Sequence, residues 1–245
     1  IEEDSVKGVE LADGTTLFSN MVLCSSGLNS MQKMTGISCL DIEDSRSIKN
    51  LRTMGTTAKV NLKLSELPIF DNIKGPVTDF RFVVAPSIDY VDKAFNSCKY
   101  GEFSQAPVSE SVFTIRQSEF WLSSIIQFIP SKLKGGWNEA SKEHLKQVLV
   151  QSLTEFIPDL CELIEDYEVI TPNDFAQDLD VEGGNWHHSE MSLDQIFNLR
   201  PTPGFSAYRA GPKGLYLCGS SSHPGGDIMG LSGRNAAIRA LRNTK

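Results

Sequence analysis

Gly214-Leu215-Tyr216-Leu217-Cys218-Gly219, followed by Ser220-Ser221-Ser222-His223-Pro224-Gly225-Gly226, is the stretch on which the fold turns. Its apolar run closed by glycine predicts a buried strand. The loop after it is small and bend-rich, and Gly225 and Gly226 permit backbone angles and close approaches that a β-carbon would forbid. From about Asp227 to Arg242 the pattern becomes helical. Gly230, Gly233, Ala237 and Ala240 recur at three- and four-residue steps and put a stripe of small residues on one face. The amide groups of the first helical turn, expected near Asp227 to Gly230, would offer partial positive charge to an oxygen or anion. On local pattern alone, Lys213 to Lys245 suits a cofactor cradle and an ordinary buried strand–turn–helix equally well.

Upstream, Val6 to Val9, the turn Ala12-Asp13-Gly14-Thr15 and Leu17 predict a β-hairpin, with Asp-Gly as the turn signal. Met21 to Cys24 continues as a buried strand ending at Ser25-Ser26-Gly27, and Leu28 to Asn50 reads as a short helix with a polar connection. Thr56 to Leu64 alternates, with Ala58, Val60, Leu62 and Leu64 on one face and Lys59, Asn61 and Lys63 on the other, as a half-buried strand does. Arg81 to Pro86, Val112 to Ile115 and Trp121 to Ile129 predict three more strands. Asn138 caps the clearest helix, whose stripe runs from Leu145 through Val148, Leu149, Leu153 and Phe156 to Ile157 before Pro158 stops it. Leu160, Leu163 and Ile164 mark a shorter helix and Tyr167 to Ile170 a strand. Thr171-Pro172-Asn173-Asp174 then opens a helix with a cap, a first-turn proline and an acid. Ser192 to Gln195 repeats that logic with a capping-box glutamine, and its helix should end before Pro201. Strands mixed with helices without strict alternation point to an α+β domain in the middle of the chain.

With 245 residues, 40% of them hydrophobic, the chain can bury one large core or two modest ones. A net charge of -8 and the lack of any basic stripe argue against a nucleic-acid partner. No apolar run is long enough to cross a bilayer. Five cysteines, at 24, 39, 98, 161 and 218, are scattered without a C-x-x-C pair and suggest reduced thiols. The chain starts at Ile1 with no initiator methionine and no signal or transit pattern, and reads as a fragment.

The run from Gly214 to Ala237, GLYLCGSSSHPGGDIMGLSGRNAA, resembles the C-terminal flavin-binding signature of FAD-dependent oxidoreductases of the phytoene desaturase and amine oxidase type. Within these it is similar to the pyridine nucleotide-disulfide oxidoreductase domain-containing protein 2 family. Gln127-Phe128-Ile129-Pro130, Trp137, Leu193-Asp194-Gln195, Arg200-Pro201-Thr202-Pro203-Gly204 and Tyr208-Arg209 fit the same family in the same order. The resemblance is dense from Trp121 onward and looser before it. It implies an α/β fold with an α+β substrate domain, the C-terminal part of a two-domain FAD/NAD(P)-binding flavoprotein. Residues 1–30 and 211–245 would form a partial FAD domain and 31–210 the substrate domain. The G-x-G-x-x-G turn that binds a dinucleotide pyrophosphate is missing, and in the family it lies near the N-terminus of a chain about twice as long.

By the same resemblance, Gly219 and Ser220 would lie along the ribityl chain of FAD, and His223, Pro224, Gly225 and Gly226 near the isoalloxazine ring. Asp227, Ile228, Met229 and Gly230 would present main-chain N–H groups to its N1–C2=O edge, where reduced flavin is negative. Asp227 departs from the family's glycine. It reads as an N-cap, or as a carboxylate that lowers the flavin potential. His187 and His188 on an extended segment face opposite sides, and His188 with Glu190 supplies only two ligands, so no metal site is expected. His188 is left to packing or to contact with substrate or flavin. His223 is either a proton shuttle or a structural part of its loop, and Arg200 and Arg209 either bind an anion or pair with acids. Val112 to Trp121 lacks the proline-containing loop of the family. No catalytic residue is assigned, since the cofactor carries the hydride chemistry in such enzymes.

The function so implied is an FAD-dependent oxidoreductase taking hydride from an apolar small molecule, located in the mitochondrial matrix. The alternative is a non-catalytic interaction protein on the same fold that supports mitochondrial assembly or respiration through a protein partner.

Overall fold

The computed structural model describes residues 1–70, 74–226 and 228–243. The chain divides into two compact units, 1–54 with 178–245, and 55–177.

The first unit opens on the predicted hairpin. β1 (Gly8–Glu10) pairs antiparallel with β2 (Thr16–Phe18), Val9 opposite Leu17. Its turn works as Asp-Gly turns do: the Asp13 carboxylate accepts the Thr15 N–H at 2.9 Å, and Gly14 takes a φ of 83°. β3 (Val22–Cys24) follows, then two helices where one was expected. These are α1 (Leu28–Thr35) and α2 (Ile42–Lys49), the latter capped by the Asp41 side chain, which accepts the Asp44 N–H at 2.7 Å.

The second unit is a five-stranded antiparallel sheet with helices. In chain order it holds β4 (Thr57–Leu64), β5 (Arg81–Val84), α3 (Ile88–Lys99), β6 (Ser109–Arg116) and β7 (Glu119–Gln127). α4 (Glu139–Leu153), α5 (Leu160–Leu163), β8 (Ile164–Ile170) and α6 (Pro172–Asp178) complete it. Sheet order is β5-β6-β7-β4-β8, with Leu62 opposite Leu122 and Asn61 opposite Ser123. The predicted alternation in β4 holds: Ala58, Val60, Leu62 and Leu64 join Phe113, Leu122 and Ile126 and the α4 residues Leu145, Leu149 and Leu153 in one core. β6 and β7 are joined by Gln117-Ser118 alone, both at positive φ, which leaves no room for a proline-containing loop.

α4 carries a reciprocal cap between Asn138 and Ser141 but ends at Leu153, four residues short of expectation. Residues 154–157 turn instead, which exposes Phe156 while Ile157 stays buried. Ile164 begins a strand rather than ending a helix.

The chain then returns to the first unit. The helix expected from Ser192 does not form, and only short 3-10 turns at Phe197–Leu199 and Pro203–Phe205 appear before Pro212. The Gln195 amide, read as a local cap, is used at long range: it accepts the Arg52 N–H at 2.9 Å and donates to the Arg52 carbonyl at 3.0 Å. β9 (Leu215–Leu217) runs parallel to β3, Leu23 opposite Tyr216, and α7 (Leu231–Arg242) closes the chain. α7 starts later than predicted because Gly230, its cap, sits at φ 68°, ψ -1°, a left-handed conformation no helix interior tolerates. Its buried face is Ser232, Ala236 and Ala240; of the expected stripe Ala240 is buried, Gly233 half-buried, and Gly230 and Ala237 exposed. Leu28, Met31, Ile48, Phe205 and Ala210 share a core with Leu215 and Leu217. The compact units break near 54 and 178.

Candidate functional site

The parallel pair β3 and β9 brings its carboxyl ends, Cys24 and Leu217, side by side, and both open onto loops. This is the end of a parallel sheet where ligands of α/β folds bind. The Cys218 N–H donates to the Cys24 carbonyl at 2.8 Å, and a β-carbon on Gly219 would run into the Ser25 carbonyl. Glycine at 219 therefore lets two loops of the protein touch.

The first half of the loop is tied down throughout. The Ser221 hydroxyl donates to the Ser26 carbonyl at 3.3 Å and the Ser232 hydroxyl, from α7, to the Ser222 carbonyl at 3.2 Å. Tyr208 donates its phenol to the His223 carbonyl at 3.0 Å and accepts from Asn235 at 3.0 Å. The Ser220 carbonyl takes Nε and Nη2 of Arg200 at 3.2 and 3.0 Å, while its hydroxyl donates to the Trp186 carbonyl at 3.4 Å.

Arg200 is the hub of this arrangement. Its guanidinium also donates to the carbonyls of His187 at 2.6 Å, Ser189 at 3.4 Å, Glu190 at 3.3 Å and Gln195 at 3.2 Å. It plays neither role expected of it, since its donors are spent on main-chain carbonyls. Among the described residues no carboxylate forms an ion pair with it. Burial moves its pKa down to about 10. A β-carbon on Gly225 (φ 79°) would strike Cδ and Nε of Arg200, so the close approach predicted at this glycine is to a side chain. Arg209 donates to Asn243 Oδ1 at 3.0 Å and forms no ion pair among the described residues.

The second half of the loop is different. A β-carbon on Gly226 (φ 86°) would meet only the methyl groups of Met229 and Met191, at 3.6 and 3.8 Å, and one on Gly230 would have nothing within 4 Å. Ile228 and Met229 are exposed. Asp227 lies outside the described residues, and with it both readings of its carboxyl group. The first helical bond of α7 runs from the Arg234 N–H to the Gly230 carbonyl at 3.0 Å, so the amides of Leu231, Ser232 and Gly233 precede the hydrogen-bond ladder. Close by in sequence, Ser222 Oγ and His223 Nδ1 are buried without a hydrogen-bond partner. Bare glycine backbone, orphaned polar atoms and uncovered methionines fit a flat, partly apolar ring with a hydrogen-bonding edge.

Of the residues singled out from sequence, Gly219, Ser220, His223 and Gly225 thus meet the protein itself, while Gly226, Ile228, Met229 and Gly230 have room on their open side. The roles of Tyr208, Ser232 and Arg200 as supports were not apparent; Tyr208 and Arg200 both lie in stretches that carry the family resemblance.

His188 is not on an extended segment. It sits in a turn at φ 63°, its N–H donating to the Asn185 carbonyl at 2.6 Å, and it packs on Gly27. Burial first, then the charges of Arg200 and His187, lower its pKa and hold the ring neutral. With Ser26, Ser30 and Asp180 it lines a pocket of about 300 Å³. Glu190 pairs with Arg52 at 3.1 Å, and among the described residues no three His, Cys, Asp or Glu side chains are grouped to hold a metal. The five cysteines are free thiols, and no described helix is long and apolar enough to cross a membrane. A larger cleft, about 1100 Å³, opens at the other, amino end of β3 and β9 between Lys7, Met21, Arg209, Lys213 and Asn243. It shares no residue with the glycine loop.

No protein-family model matches the chain. Over 99% of its length it is 31% identical to pyridine nucleotide-disulfide oxidoreductase domain-containing protein 2 of Mus musculus, and equally so to that of Rattus norvegicus. The chain spans 45% of each, their C-terminal part. Two solved structures share its fold at 10% identity: an oxidoreductase from Methanosarcina mazei (TM-score 0.52) and cyclohexylamine oxidase from Brevibacterium oxydans IH-35A (TM-score 0.54). They match 99% and 98% of this chain and 47% of their own. Over nearly its whole length the chain is thus homologous to the C-terminal part of the pyridine nucleotide-disulfide oxidoreductase domain-containing protein 2 relatives.

Proposed function

We propose that the chain forms the flavin-ring side of an FAD-dependent oxidoreductase that takes hydride from a small, apolar molecule. One observation carries the reading. The carboxyl ends of a parallel strand pair lead into a loop locked over its first half and bare over its second, at the start of α7.

The main chain of Gly226 and of Ile228 to Gly230 would hold the ring, with the amides of Leu231 to Gly233, which have no acceptor among the described residues, and with Ser222 Oγ and His223 Nδ1 as polar atoms in reserve. Bound flavin supplies the hydride acceptor. What the chain contributes is a positive helix end with no described acid in its first turn, which favours negative charge beside it. Met191, Met229 and Ile228, all exposed, would give the ring an apolar border. The oxidoreductase name of the mammalian relatives and the oxidase activity named for one fold neighbour point the same way.

The test is the absorption spectrum of the purified complete protein. A bound yellow cofactor, bleached anaerobically by a substrate, supports the oxidoreductase. A colourless but stably folded protein overturns it and favours a non-catalytic interaction protein, for which exposed Leu193, Phe197 and Ile228 offer apolar surface. Residence in the mitochondrial matrix belongs to the same proposal and is read by cell fractionation of the tagged complete protein.

A further inference from the structure

Arg200 heads the fully buried side chains among the described residues by size, and it is the one that carries a charge. Isolated buried charges are costly and are ordinarily paired with an opposite charge. Among the described residues the partners are five carbonyl oxygens, of His187, Ser189, Glu190, Gln195 and Ser220. Carbonyl dipoles satisfy the N–H groups but leave the net charge in place. With a pKa lowered only to about 10, the guanidinium is still protonated at neutral pH. Its field reaches its neighbours: after burial, it is the next cause of the depressed pKa of His188. It also lies against the loop, occupying the space that a β-carbon on Gly225 would need.

Resting on the flavin reading above, we propose that Arg200 is a positioning residue for the cofactor. It clamps the 187–195 loop to Ser220, and from beside Gly225 it places a fixed positive charge that holds the anionic reduced ring more tightly than the oxidised one.

The experiment is a redox titration of the flavin bound to the complete protein, in wild type, Arg200→Met and Arg200→Lys, with flavin content and thermal melting measured alongside. Arg200→Gln replaces the methionine variant if that one does not fold. The uncharged variants should bind reduced flavin about tenfold less tightly relative to oxidised flavin, a midpoint potential about 30 mV lower for a two-electron couple. Arg200→Lys should melt earlier, having lost the forked donors, yet keep a potential close to wild type. Wild-type potentials in all variants, or a lysine variant shifted as far as the uncharged ones, overturn the role of the charge while leaving flavin binding intact. Asp227→Asn serves as a control. If the arginine effect emerges only in that background, the charge is compensated in the wild type and the proposal fails. A wild-type protein without flavin overturns both this inference and the reading beneath it.

Discussion

Two glycines of one loop adopt similar backbone angles for different reasons, and alanine substitution should separate them. Gly225 has φ 79° and Gly230 φ 68°, so a side chain at either costs about 1–2 kcal/mol in the left-handed region. At Gly230 that is the whole penalty, because the space around it is open. At Gly225 the new methyl must also displace the buried Arg200 side chain, adding about 1–3 kcal/mol of overpacking. Urea denaturation should therefore rank Gly225→Ala well below Gly230→Ala. Equal losses would mean that Arg200 does not lie against the loop. Sequence alone exposes the need for glycine at these positions but not what each one faces. Arg200 gathers carbonyls from positions 187, 189, 190, 195 and 220, a set that no local pattern announces. From sequence the arginine is therefore an anion binder or an ion-pair partner, and its hub role stays hidden.

At the scale of elements, legibility depended on whether a capping side chain stayed local. Thr171 and Asp174 cap α6 reciprocally, as their spacing predicts: the Asp174 carboxylate accepts the Thr171 N–H at 2.8 Å, and Thr171 Oγ1 accepts the Asp174 N–H at 3.2 Å. Ser192 and Gln195 carry the same signature, yet Gln195 is drawn to the backbone of Arg52 and no helix forms. α3 went unread although Ser87 caps it, accepting the Tyr90 N–H at 3.1 Å. The proline before it and its sparse apolar face, with only Ala94 buried, masked the signal. The α6 cap yields a pH prediction. Burial raises the pKa of Asp174, but the bonds from Thr171 and the pairing with Lys142 outweigh it and hold the carboxyl below its ordinary value. A depressed carboxylate stabilises the fold above its unfolded pKa of about 3.9, and that contribution fades as pH falls through the folded value. Asp174→Asn should cost about 1–2 kcal/mol at neutral pH, with the gap to wild type closing below about pH 4. A gap independent of pH would show that the carboxylate charge contributes nothing.

For the whole molecule, composition allowed one large core or two modest ones, and the contact pattern selects two. One core holds Val60, Leu62, Leu122, Ile126 and Leu149; the other holds Leu28, Met31, Phe205, Leu215 and Leu217; they share no residue. The middle unit was legible because β4 alternates strictly, so a single strand declares which face is buried. The outer unit was not, because 1–54 and 178–245 meet through short strands of three residues whose pairing depends on segments far apart in the chain. Leu62 and Leu217 are both fully buried, and truncating either to alanine should cost about 2–5 kcal/mol through lost burial and the cavity left behind. Where protection is lost tells whether the two cores are separate cooperative units. Under native-state hydrogen exchange, Leu62→Ala should speed exchange of amides in β4, β6 and β7 and spare those of β3 and β9, while Leu217→Ala should do the reverse. If either substitution lowers protection equally throughout the chain, the two cores melt as one, and the division into 1–54 with 178–245 and 55–177 is geometric without being energetic.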